Sequence, residues 1–145
     1  MKSKSDTTNR VDSQLLAKIA STSTEIEIKD NNGIITRLFR NNSRYIFAYV
    51  EMNSNDCLQK VVPSVRKEVQ KHTKALWLLN EKGLYILVSV QDIHQIKDIN
   101  TVKVDKTGFH AVILQAVHFV DKNGNQKLIQ SQWFGRTFGK SLSDI

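Results

Sequence analysis

Apolar positions are densest over residues 109–134, the longest such passage in the chain, broken by a single Asn123-Gly124. Asn-Gly suits a two-residue type I′ turn, because both central residues need positive φ. That turn would set Phe119 opposite Leu128, Val117 opposite Gln130 and Ile113 opposite Phe134 on one face. His118 would then face Ile129, and Leu114 would face Trp133, on the other. Both faces of the ribbon come out mostly apolar, which predicts a strand pair covered on two sides at the centre of a sheet.

The remaining elements follow from the same patterning. Residues 1–10 hold no apolar anchor and read as a disordered arm, leaving 11–145 as a single α+β domain. A short helix is expected from Asp12 or Ser13, with Leu15, Leu16, Ile19 and Ala20 on its apolar face. Ile26 and Ile28 alternate with Glu25, Glu27 and Lys29, and Asn32-Gly33 supplies a second hairpin turn. An aromatic strand is predicted over 44–52. Leu58, Val61, Val62, Val65 and Val69 then recur at spacings of three and four, the pattern of an amphipathic helix over 56–73. Pro63 predicts a kink, or a true start at that residue. Residues 75–90 read as a third hairpin turning at Gly83, 91–100 as a helical turn or two, and 101–104 as a short strand.

This order predicts a mainly antiparallel, curled sheet of six to seven strands, with one long amphipathic helix and one or two short ones packed on it. Such helices cover about one face of a sheet that wide. The doubly apolar ribbon therefore predicts a homodimer formed through an apolar sheet face.

Composition adds limits rather than an activity. At 145 residues with 40% hydrophobic and 24% charged, the chain is long enough for one unstapled core. Its single cysteine, Cys57, excludes an internal disulfide and a cysteine zinc site. The polar start is no secretory signal and no run is long enough for a membrane span, so a cytoplasmic protein without membrane association is expected.

The net charge of +7 changes the picture more, because residues 53–74 carry five basic residues against two acidic. At 100° per residue Lys60, Lys67, Lys71 and Lys74 fall within about 60° of one another, opposite the valine stripe. Arg37, Arg40 and Arg44 are expected to cluster at a strand–strand loop beside Phe39 and Tyr45. Cations with aromatics nearby suit phosphate contacts and base stacking, so these seven residues are the candidate site and DNA or RNA the candidate partner.

Other motifs have simpler readings. Residues 135–141 are one residue short of a phosphate-binding loop, and too little chain follows to form its helix. Asp121-Lys-Asn123-Gly-Asn125 places its glycine at the wrong position for a calcium loop. His110 and His118 lie about 26 Å apart if on one strand, and Cys57 and His72 about 22 Å apart on one helix, so neither pair shares an ion. Arg40-x-x-x-Arg44 ahead of a strand is similar to the arginine pair that opens cyclic-di-GMP-binding PilZ domains. The likeness covers five residues, and the Asp/Asn-x-Ser-x-x-Gly those domains carry on a later strand is absent. No metal, cofactor or catalytic residue is assigned. The expected function is a self-associating, non-catalytic module that binds a polyanion. The alternative is a small-molecule-binding or enzymatic domain with a pocket between sheet and helix, to be recognised by convergent carboxylates or histidines.

Overall fold

The structure, a computed structural model, describes residues 10–28, 34–41, 44–52, 56–76, 79–106 and 110–131. Its elements in chain order are α1 (Arg10–Thr22), β1 (Thr24–Ile26), β2 (Arg37–Asn41), β3 (Tyr45–Glu51), α2 (Leu58–Thr73), β4 (Lys82–Val90), β5 (Val112–Asp121) and β6 (Gln126–Gln130). Two 3-10 turns, Ile93–Gln95 and Ile99–Thr101, interrupt the passage from β4 to β5. The strands form one six-stranded sheet in sequential order.

The sheet is mixed, which corrects the expectation of a mainly antiparallel, curled one. β1–β2, β2–β3 and β5–β6 are antiparallel, but β3–β4 and β4–β5 are parallel. The cause lies in the connections. A parallel neighbour needs a crossover of a dozen or more residues, and α2 supplies one between β3 and β4. The passage through the two 3-10 turns supplies the other. Both advance the strand order in the same direction, so a fixed crossover hand sends both over the same face.

Each face is consequently covered by the chain's own elements. On one side Leu58, Val65 and Val69 of α2, with Ile93 and Ile99 of the 3-10 turns, bury Leu38, Ile46, Leu84, Ile86, Val117 and Phe119. On the other, Leu15 and Ile19 of α1 bury Phe39, Phe47, Tyr85, Leu87, Ala116 and Val120. Doubly apolar strands are what a parallel sheet with helices on both faces contains. The inference from the apolar ribbon to a second subunit thereby loses its premise.

Several local expectations meet different outcomes. The stripes of α1 and α2 pack as predicted, and α2 runs through Pro63 from a start at Leu58. The third hairpin is absent. Gly83 lies inside β4, and residues 75–81 make only an isolated bridge, Leu76 to Asn80, with Trp77 and Leu78 outside the described residues. Residues 101–104 form no strand, and Thr101 closes the second 3-10 turn. Asn32-Gly33, residues 1–9 of the expected 1–10 arm and residues 132–145 also lie outside the described residues, whereas Arg10, expected in that arm, opens α1.

The β5–β6 turn is displaced by one residue. His118 pairs with Leu128 and Val117 with Ile129, so β6 presents the opposite faces from those expected. Only Gly124 has positive φ there, at 84°. Its N–H donates to the Asp121 carbonyl, and the Asp121 N–H donates to the Asn125 carbonyl, giving a three-residue loop with glycine in the left-handed position. Asp121 decides the register. Its Oδ1 accepts from the Asn123 and Asn125 N–H groups at 3.0 and 2.8 Å, stabilising the longer turn.

Candidate binding surface

Helix α2 runs back from the end of β3 to the start of β4, so its last turn lies at the end of the sheet where the parallel strands begin. Lys60, Lys67, Lys71 and Lys74 are all exposed along it. Lys60 lies near the opposite end from Lys74, about 20 Å away at 1.5 Å per residue. Lys67 and Lys71, with Ser64, Glu68 and Gln70, line one wall of a groove of about 580 Å³ whose other wall is Ile34. Lys74 ends the helix in the left-handed conformation, φ 56°, a place that glycine or asparagine fills with less strain.

The three arginines do not form one cluster. Arg37 and Arg40 are three residues apart on β2, so their side chains leave opposite faces of the sheet. Arg37 holds Glu25 in a two-point ion pair, Nε to Oε2 at 3.0 Å and Nη2 to Oε1 at 2.8 Å. That hydrogen-bonded pairing lowers the pKa of the Glu25 carboxyl and raises that of the Arg37 guanidinium. Arg37 also lies 4.9 Å over the Phe39 ring, but Phe39 is buried and offers no face to a base. Its charge serves β1.

Arg40 and Arg44 are exposed and sit at the β2–β3 end, where the Arg44 carbonyl accepts the Gly83 N–H at 2.8 Å. Lys82, the first residue of β4, lies there too. It is buried, and burial lowers its ammonium pKa, with the positive charge of Arg40 adding to the effect. Arg40, Arg44, Lys71, Lys74 and Lys82 thus gather where β3 and β4 begin, with Glu81 and, by the start of β5, Asp105 at the same end. The other end of the sheet carries Glu51, Asp56, Asp92, Asp98 and Asp121. This arrangement brings four of the seven expected residues together and adds Lys82, with Lys67 one helical turn back beside Lys71 and with Arg37 and Lys60 elsewhere. Lys82 was readable as part of a hairpin turn, which concealed it.

The carboxylates of Asp121 and Asp98, and of Asp105 near the start of β5, are engaged in structure. Asp121 Oδ2 accepts the Ile93 N–H at 3.0 Å, fastening the first 3-10 turn to the hairpin. Burial alone would raise the pKa of its carboxyl, but the amide bonds of Ile93, Asn125 and Asn123 outweigh that and lower it. Asp98 Oδ2 accepts the Leu58 N–H at 3.2 Å, a carboxylate on the positive end of α2. Cys57 Sγ lies 3.8 Å from the same oxygen. Asp105 accepts from the Leu114 N–H and pairs with Arg66 at 2.9 Å, and His110 Nε2 lies 3.6 Å away. No cluster of three potential metal ligands occurs among the described residues.

His118 is the one buried histidine among the described residues. Its Nδ1 takes the Tyr85 O–H at 2.5 Å and its Nε2 meets Gln126 Oε1 at 2.8 Å. Since an amide oxygen only accepts, Nε2 carries a proton, and with burial favouring the neutral imidazole Nδ1 accepts the Tyr85 O–H. Burial lowers the His118 pKa, partly countered by Gln126, and raises that of Tyr85. Both groups stay uncharged near neutral pH.

Between α2 and the segment before β5 lies a second groove of about 480 Å³. Leu58, Val62, Pro63, Val102 and Leu114 make it mainly apolar, with Arg66 and Lys103 at its side. Among the described residues, neither a carboxylate nor a histidine lines it. Compared with protein-family models, curated proteins and solved structures, the chain finds no match. No helix among the described residues is long and apolar enough to cross a membrane.

Proposed function

We propose that this protein is a non-catalytic binding module whose partner is a polyanion. The observation that carries the reading is the gathering of exposed cations at one end of the strands. Arg40, Arg44, Lys71 and Lys74 are exposed together there, whereas at the other end Glu51, Asp56, Asp92, Asp98 and Asp121 are interspersed with Lys60, Lys97 and Lys122. Like charges gathered at a surface raise the local potential and attract an extended anion more than any one of them would alone. The lysine row, with Lys67 and Lys71 flanking the groove beside Ile34, suits the phosphates of such an anion, for which a nucleic acid duplex is the generic probe. The second groove supports the binding-module reading, since its described lining is mainly apolar. We place the protein in the cytoplasm, where an exposed thiol such as that of Cys57 stays reduced.

The test is direct. Wild-type protein should bind a generic DNA duplex at about 50 mM salt, and replacing Lys67, Lys71 and Lys74 with Gln should weaken it by about tenfold or more. Glutamine keeps nearly the helix propensity of lysine, so the fold should persist. Equal affinity of the two proteins would reject the reading.

A further inference from the structure

After α2, Leu76 and Leu79 are the two most exposed large apolar side chains among the described residues. Leu79 is 83% exposed and Leu76 is 54% exposed. Local bonds hold them out. The Leu76 N–H donates to the Asn80 carbonyl at 3.0 Å and the Asn80 N–H returns to the Leu76 carbonyl at 2.7 Å. Asn80 Nδ2 reaches the last helical carbonyls, Thr73 at 3.4 Å and Lys74 at 3.0 Å. Gln70 Nε2 donates to the Ala75 carbonyl at 3.3 Å. A connection pinned at both ends could have been polar at no cost to these bonds. Instead it projects leucines from the end of the molecule that carries the exposed cations.

We infer that Leu76 and Leu79 form an interfacial anchor, and that the polyanion is the surface of an anionic lipid bilayer. The inference rests on the polyanion reading and names its partner. A nucleic acid backbone would satisfy Lys71, Lys74, Arg40 and Arg44 but would leave Leu79 in water. A second copy related by a two-fold axis would cover the leucines but bring the same cations against each other. A bilayer answers both requirements, because apolar side chains enter the headgroup–acyl boundary while Lys and Arg meet lipid phosphates and carboxylates. The cytoplasmic leaflet bears that negative charge. Binding of this kind lays the protein on the surface and requires no spanning segment.

The experiment is co-sedimentation of the full chain with phosphatidylcholine vesicles containing or lacking about 30% phosphatidylserine, with the duplex as a parallel probe. Wild type should bind the anionic vesicles at least about tenfold better than the neutral ones. Leu76→Ser with Leu79→Ser should lose about tenfold on anionic vesicles while keeping duplex affinity and thermal stability. Lys71→Gln with Lys74→Gln should weaken both ligands. Duplex binding without vesicle binding would overturn the lipid inference and leave the polyanion reading standing. Loss of both would end both. Vesicle binding unchanged by the leucine substitutions would show that these leucines are no anchor, and a dimer dissolved by them without effect on vesicles would assign the leucines to a second copy.

Discussion

At the residue scale His118 illustrates how burial sets a charge state. Folding keeps it neutral between Tyr85 and Gln126, with its pKa below the ordinary value of 6.5. In the unfolded chain it would titrate near that value, so the unfolded state binds more protons in the window between the two. Stability should be complete above about pH 6.5 and fall as pH drops from there toward the folded value. Thermal denaturation between about pH 8 and 5 checks this, with His118→Gln expected to remove that part of the slope. An identical slope in the variant would mean that folding does not lower the His118 pKa. Asp121, also lowered, loses its contribution only in more acidic solution, so the two do not overlap.

Gly124 is the second residue whose role is conformational. Its φ is 84°, and nothing lies within 4 Å of the place a methyl group would occupy, so a side chain there meets backbone strain and no steric clash. Gly124→Val should lower stability by about 1–3 kcal/mol, and Gly124→Asn by clearly less. Equal melting temperatures for the two variants would contradict the left-handed assignment. The glycine was legible from the sequence, but the register was not. Asn-Gly alone favours the two-residue turn, and the preference of Asp121 for the amides of Asn123 and Asn125 is a three-dimensional fact.

At the scale of elements, the α1 and α2 stripes were legible because their spacing repeats over several turns. What escaped was how the second crossover is fastened. Asp105 accepts the Leu114 N–H with one oxygen and holds Arg66 with the other, joining α2, the passage before β5 and β5 itself. Asp105→Ala should cost roughly 2–4 kcal/mol, because it strips a part-buried guanidinium and an amide of their partner together. Pairing it with Arg66→Met should recover part of that loss. A double variant that is the sum of two independent losses would show that the ion pair is not coupled. The 3-10 turns and the Leu76–Asn80 bridge gave no periodic signal, being too short for one. An apolar run at 75–79 therefore read as a strand, although Leu76 and Leu79 lie exposed.

For the whole molecule, the antiparallel expectation failed on a point the pattern did contain. Lys82–Val90 and Val112–Asp121 are apolar on both faces and separated by enough chain for a crossover. Read as parallel strands under helices, they need no second subunit to cover them. Three-dimensional placement also reorganised the charges. The lysines on α2 share a face by spacing alone, but only the helix direction against the sheet carries Lys71 and Lys74 to the end where Arg40, Arg44 and Lys82 lie.

The central claim is that these cations engage phosphates, and its most direct measure is the salt dependence of duplex binding. Each neutralised phosphate contributes about −0.9 to the slope of log affinity against log salt on duplex. Replacing Lys67 and Lys71 together with Gln should flatten the slope by up to about two units. A wild type that fails to bind at about 50 mM salt, or a double variant with an unchanged slope, would reduce the lysine row to the solvated back of an amphipathic helix.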